Sequence, residues 1–165
     1  MLIGAIGMVL TRVLSMDEAY EAVSWKTVFL LAGLMPLGQA MQHSGAAAWI
    51  AGEILLLFGR LPEWGLQIIL ALMASVFSLL ISNVGATILL VPVAVQIALG
   101  AGADPVLYAL IVALGTSNCF LIPTNQVNAL IMGPGNYGSR DFIRAGGGMT
   151  VLFLGVSLGV LNLMY

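Results

Sequence analysis

Charge is the scarcest property of this sequence. Of 165 residues, five are Lys or Arg and seven are Asp or Glu, so charged side chains make up 7% of the chain. A soluble domain carries about 25%, so this chain cannot build a water-facing surface all round. The basic residues are scattered and the formal net charge is −2, so no positive patch exists to hold a nucleic acid. Cysteine occurs once, at Cys119, which excludes an intramolecular disulfide framework and leaves the redox compartment unread. The single histidine, His43, reads as an ordinary helix-end residue. No nucleophile has a histidine or acid partner at membrane depth and no metal-ligand cluster occurs there, so an enzyme is the weakest of the readings.

What is abundant is apolar surface. Hydrophobic residues form 61% of the chain, against roughly 45–50% in soluble domains, so the chain is expected to be an all-α integral membrane protein with the lipid bilayer as its first partner. Residues 1–15 lack a basic leader and a small-residue cleavage pattern, so they read as a membrane helix and not as a signal peptide. Apolar segments fall at 1–14, 26–42, 45–59, 64–81, 87–101, 105–122, 126–133 and 145–165. A spanning helix needs about 20 apolar residues, so several of these are too short to cross alone. The stretch 45–59 carries Glu53 and Trp49, with Trp64 just beyond, and reads as an interfacial helix. With that helix lying flat, Arg12, Lys26, Arg140 and Arg144 emerge on one side and Arg60 on the other, the arrangement that the positive-inside rule prefers.

Two polar interruptions carry the functional signal. Between Leu66 and Asp104 there is no charged side chain, yet the middle of that stretch reads Ser82-Asn83-Val84-Gly85-Ala86-Thr87. Backbone polar groups that leave a helix at membrane depth are tolerated only around a cavity or site. Residues 64–101 therefore read as a re-entrant helical hairpin with this polar tip. Ser75, Ser78 and Ser82 follow one another by three and four and form a stripe on one helical face leading to Asn83. The bland reading of Ser75 and Ser78 is interhelical hydrogen bonding. Ser82 and Asn83 lie at the helix end, where free amides and the helix dipole suit an anion. Gly85 is expected to supply backbone freedom, and Thr87 begins the returning arm.

The second interruption is Thr116-Ser117-Asn118 and then Pro123-Thr124-Asn125-Gln126-Val127-Asn128, which makes 105–133 a broken helix. Proline removes a donor and frees a carbonyl one turn earlier, so oxygens near Pro123 and Thr124 can coordinate a cation. Asn125 and Asn128 face the same way where helix resumes, although these amides could serve only the backbone of the kink. Candidate substrate ligands are thus Ser82, Asn83, Thr87, Asn125 and Asn128, and candidate cation ligands are Ser82, Asn83, Gly85, Pro123 and Thr124. No Asp, Glu, Lys, Arg or His stands in either break. Neutral oxygens suit a hard cation such as Na+ better than a proton as the coupling ion, and no other cofactor is expected.

Elsewhere the chain explains itself locally. Ser15-Met16-Asp17-Glu18 has capping-box spacing, Asp104-Pro105 reads as an N-cap with proline in the first helical turn, and residues 133–138 form a turn cluster. Gly155 and Gly159 have the small-xxx-small spacing that admits a neighbouring helix.

The stretch SNVGATILLVP from Ser82, FLIPTNQVNALIMGPGNY from Phe120 and RDFIRAGG from Arg140 resemble the carboxy-terminal half of a citrate-transporter-like permease of the divalent anion:sodium symporter, or solute-carrier family 13-like, group. The resemblance covers essentially the whole chain, and PTNQVNALIMGPG is its most specific part. It implies an inverted-repeat transporter in which each half supplies a re-entrant hairpin tipped by Ser-Asn-Thr and a broken helix with a proline- and asparagine-containing loop. It further implies that Ser82 and Asn83 lie at substrate and sodium positions and that Asn125 and Asn128 belong to the matching loop. Val84 replaces the family's threonine after Ser-Asn, and the proline loop is one residue shorter.

The expected organisation is a single transporter half over 1–165, with scaffold-side helices at 1–42, an interfacial helix at 45–59, the hairpin at 64–101, the broken helix at 105–133 and a terminal helix at 145–165. The expected function is secondary active, cation-coupled transport of a small divalent anion of the sulfate or di/tricarboxylate class in a bacterial inner membrane. A second transporter half or a second copy of the chain is the expected partner. The alternative is a truncated or non-transporting membrane assembly module that keeps the wording of the site.

Overall fold

The computed structural model describes residues 7–8, 11, 13, 15–121, 135 and 138–165. Seven helices account for most of them: α1 (Met16–Ala22), α2 (Trp25–His43), α3 (Ala46–Phe58), α4 (Glu63–Leu80), α5 (Asn83–Ala101), α6 (Pro105–Thr116) and α7 (Ser139–Met164). They fall into two compact units, Met1–Gly33 and Leu34–Tyr165.

In the first unit α1 is opened by the expected capping box. The Glu18 amide donates to Ser15 Oγ at 3.3 Å, and Glu18 Oε2 accepts the Ser15 amide at 2.8 Å. Trp25, at the start of α2, donates its indole N–H to the Tyr20 carbonyl at 3.1 Å, and the two rings lie 5.2 Å apart. These contacts brace the turn between the two helices.

The second unit is built around α4, α5 and α6. All three pack against one another, α3 covers α5, and α7 lies along α6 and α4. The shared core takes Leu70, Val93, Ile97, Tyr108, Ile111 and Val112 together with the small residues Ala74, Ala94 and Ala98. Small residues let backbones approach where lipid gives no hydrophobic drive for helix association. Gly115 marks one such close crossing: a Cβ there would stand 2.9 Å from the Ala74 methyl and 3.0 Å from the Ala71 carbonyl oxygen. The Gly155 and Gly159 pair is different, because a Cβ at either would meet no described atom within 4 Å. Beside the core, Asn162 on α7 donates to Oε1 of the buried Gln67 on α4 at 2.6 Å.

Three described helices are long and apolar enough to cross a membrane: Glu63–Leu80, Asn83–Ala101 and Arg140–Met164. α3 and α6, at 13 and 12 residues, are shorter apolar helices. The 26 residues of α7 extend about 39 Å, more than the roughly 30 Å of the hydrocarbon core, so Arg140, Asp141 and Arg144 can stand beyond the apolar layer.

Two element ends differ from the apolar segments of the sequence. The segment 105–122 is apolar almost throughout, but α6 stops at Thr116. Thr116 Oγ1 and Ser117 Oγ both donate back to the Ala113 carbonyl, at 3.1 and 2.9 Å, and the amides of Ser117 and Asn118 reach only three residues back. Hydroxyls that compete for the last carbonyls of a helix tighten and end it. α7 begins at Ser139 and not near 145, because the Gly138 amide is taken by Asp141 Oδ2 at 2.9 Å and the turn of polar residues joins the helix.

Candidate functional site

Ile81 and Ser82 alone join α4 to α5. Ser82 is extended and acts as N-cap of α5: its hydroxyl oxygen accepts the Gly85 amide at 3.1 Å, and its carbonyl accepts the Ala86 amide at 2.9 Å. Asn83 is the first helical residue, and Ser82, Asn83 and Val84 are all exposed at the tip. Gly85 is buried in the first turn and its φ is not positive, so what it contributes is space: a Cβ would stand 3.1 Å from both Ile81 Cγ2 and Ser82 Oγ.

Beneath the tip, the serine stripe of α4 faces the C-terminal end of α6. Ser78 Oγ lies 2.6 Å from the Thr116 carbonyl oxygen and 2.6 Å from Asn83 Oδ1. A hydroxyl has one proton, so both contacts are satisfied together when Ser78 donates to Thr116 and the Asn83 carboxamide turns its N–H toward Ser78. The Thr87 hydroxyl, one turn into α5, lies 2.8 Å from the Asn83 carbonyl and 2.7 Å from the Thr116 hydroxyl, and shares its one proton between them because Thr116 gives its own to the Ala113 carbonyl. One turn deeper, Ser75 Oγ donates to the Gly115 carbonyl of α6 at 3.0 Å, sharing its proton with the Ala71 carbonyl at 2.9 Å. Ser75 and Ser78 thus make the interhelical bonds expected of them, and Ser82 and Asn83 are left at the surface.

The described half of the candidate set is therefore one cluster. Ser82, Asn83, Gly85 and Thr87 surround the start of α5, and Thr116 joins them from α6. Pro123, Thr124, Asn125 and Asn128 lie outside the described residues. Thr116 belongs to a motif visible in the sequence, but only tertiary packing brings it against Thr87.

The electrostatics of the cluster follow from helix ends. The N-terminus of α5 carries about half a positive elementary charge, and its first turn contains no acid. Among the described residues no partner is found for the amides of Asn83 and Val84. The Thr116 carbonyl at the C-terminal end of α6 comes to the same place through Ser78, and the Thr116 hydroxyl through Thr87. Donors for an anion and oxygens for a cation thus stand side by side without a charged side chain. Among the described residues no group of His, Cys, Asp or Glu could hold a metal ion.

An apolar helical bundle with membrane-spanning helices and opposed helix ends around a neutral polar tip has the make-up of an integral membrane transporter. The citrate transporter family matches residues 1–163, and the chain belongs to that family, one of transporters and not of enzymes. It is similar to an uncharacterised transporter of Synechocystis sp., with 36% identity over 90% of this chain and 24% of the relative. Human solute carrier family 13 member 4 is 24% identical over 91% of this chain and 24% of its own length. Mouse Na(+)/dicarboxylate cotransporter 3 is 25% identical over 81% of this chain and 22% of its own length. The chain spans about a quarter of the length of these relatives.

Proposed function

We propose that this chain forms one half of the substrate pathway of a secondary active transporter for a small divalent anion, of the sulfate or di/tricarboxylate class, with Na+ as the coupling ion. The observation that carries the reading is the tip of the α4–α5 hairpin, where unfilled amides at the start of α5 meet the carbonyl end of α6 across Ser78, Asn83, Thr87 and Thr116. In this reading α4–α5 is re-entrant: Ser82, Asn83 and Thr87 hold the anion, and Asn83, Ser82 and the neighbouring carbonyls hold the cation. Asn125 and Asn128 face the anion from the second break, with oxygens of Pro123 and Thr124 beside the cation. The hairpin and broken helix move as a rigid body against scaffold-side helices within residues 1–42, with the flat helix at 45–59 as the interfacial connection between the two parts. A second transporter half or a second copy completes the site, in a plasma membrane of bacterial type.

The relatives support the class of substrate, since one of them is named for sodium and dicarboxylate. The test is uptake of labelled sulfate and citrate into vesicles holding the full chain in its native assembly. Asn83→Ala is expected to lower uptake roughly 100-fold, the loss expected for a charge-assisted hydrogen bond at a binding site. Membrane insertion and detergent stability should stay at wild-type level. Undiminished uptake removes Asn83 from the site. The second reading is a truncated or non-transporting membrane assembly module that keeps the wording of the site. Saturable anion binding by the isolated chain would exclude it.

A further inference from the structure

Two strings of hydroxyls and amides run beneath the hairpin tip, and one of them never reaches the surface. The first, through Asn83, Ser78, Thr116 and Thr87, belongs to the candidate site. The second begins at Ser75, which accepts the Asn118 side-chain N–H at 3.1 Å, and ends at Thr150 on α7, whose hydroxyl donates to Asn118 Oδ1 at 3.1 Å. Ser75, Asn118 and Thr150 are 3%, 1% and 7% exposed, so none of them can touch a ligand arriving at the tip.

Asn118 is two residues past the end of α6, on the stretch where the chain has left its helix. Such a stretch has no helical ladder to fix its direction, and here side chains replace it. The carboxamide engages α4 on one edge and α7 on the other, so it sets both the position and the rotation of the exit. α7 presses on the same stretch: Gly146 backs onto the Phe120 carbonyl with no room for a Cβ, and the rings of Phe120 and Phe153 meet edge-on at 5.7 Å. An apolar side chain of similar volume could fill the space but could not choose that direction.

We infer that Asn118 is a positioning residue: through Ser75 and Thr150 it fixes the exit from α6, and with it the Thr116 hydroxyl and carbonyl that meet Thr87 and Ser78. For anion binding the inference rests on the transport reading; for the geometry of the exit it does not.

Cys119 is the only cysteine of the chain and is half-buried next to Asn118, so its modification reports on this one stretch. The experiment measures the rate of Cys119 labelling by N-ethylmaleimide in vesicles holding the full chain in its native assembly. Thr150→Val is expected to speed labelling about tenfold, the factor that follows from losing one buried hydrogen bond, and Asn118→Ala, which loses two, by roughly 100-fold. The double variant should be no faster than Asn118→Ala, because the two residues share one bond. Thr150→Ser keeps the hydroxyl and should label at the wild-type rate. A wild-type rate in Thr150→Val, or multiplied effects in the double variant, overturns the inference. Should Asn118→Ala fail to accumulate, the isosteric Thr150→Val still decides.

Uptake of sulfate and citrate by the same vesicles separates positioning from simple support. Thr150→Val is expected to raise KM about tenfold and to leave the maximal rate within about twofold. Faster labelling with an unchanged KM would overturn the link to the site. If wild-type vesicles take up neither anion, the transport reading fails, and the labelling rates alone decide the role of Asn118 in the exit.

Discussion

Two serines of this chain open helices in the same manner, and the helix ends they make are opposites. At α1, Ser15 Oγ caps the amide of Glu18, and the Glu18 carboxylate returns to take the Ser15 amide. At α5, Ser82 Oγ caps the amide of Gly85 in the same third position, but Gly85 has no side chain to return. The first end carries its own anion and is closed. The second leaves its dipole and its leading amides to whatever arrives. The cap residue alone therefore does not tell a closed helix start from an open one; here the residue three positions later makes the difference.

The strongest way to break this comparison is to close the second box. Gly85→Glu would place a carboxylate where the transported anion is proposed to sit. Two like unit charges about 4 Å apart near a protein surface repel by about 4 kcal/mol, so uptake of sulfate and citrate should fall by roughly three orders of magnitude. Gly85→Ala is the steric control. Its methyl would stand 3.1 Å from Ile81 Cγ2 and Ser82 Oγ, which asks both for a shift of a few tenths of an ångström. Uptake should then fall less than about tenfold. Equal losses in the two variants would show that crowding, and not charge, is what the tip cannot accept.

A smaller effect separates the capping role of Ser82 from its role toward a ligand. Ser82→Ala removes a helix cap, which costs about 1 kcal/mol, and Ser15→Ala should cost a similar amount. Thermal unfolding in detergent reads both. Uptake should fall in the Ser82 variant and stay unchanged in the Ser15 variant. Equal uptake in the two would leave Ser82 a cap and nothing more.

What the sequence discloses follows the distance over which each feature is decided. Caps are decided within one turn, so the Ser15–Glu18 box and the Asp104 cap on the Val106 amide, at 2.8 Å, were legible from spacing. The one-face spacing of Ser75 and Ser78 likewise pointed to interhelical bonds, which they make to carbonyls of α6. The end of α6 was legible in part. The Thr116-Ser117-Asn118 break marks it within an apolar run, and the helix stops there because the Thr116 and Ser117 hydroxyls turn back to the Ala113 carbonyl. What no local pattern discloses is that the Gly115 and Thr116 carbonyls are taken by serines about forty residues away. Glycine spacing singled out Gly155 and Gly159, where no described atom lies within 4 Å of a Cβ, but not Gly115, which meets α4 closely and has no such partner in sequence. Which glycine meets a neighbour depends on the crossing point of two helices, and no local pattern encodes it.

The smallest effect belongs to the closed end. The Ser15 backbone amide, and after it the Ser15 hydroxyl, hold the Glu18 carboxyl below the ordinary glutamate value. A carboxyl whose folded pKa is lowered contributes its stabilisation fully above the unfolded value and loses it as the pH falls through the folded one. The start of α1 should therefore fray on acidification through the acidic side of the glutamate range. The first turn of α5, which has no acid, should not respond in that window. A side-chain NMR titration of Glu18 in detergent micelles checks this: its midpoint should rise toward the ordinary value in Ser15→Ala, where the hydroxyl is gone. An unmoved midpoint would mean that the backbone amide of residue 15 alone holds the carboxylate. The contrast between the two ends would then rest on the glutamate and not on the serine cap.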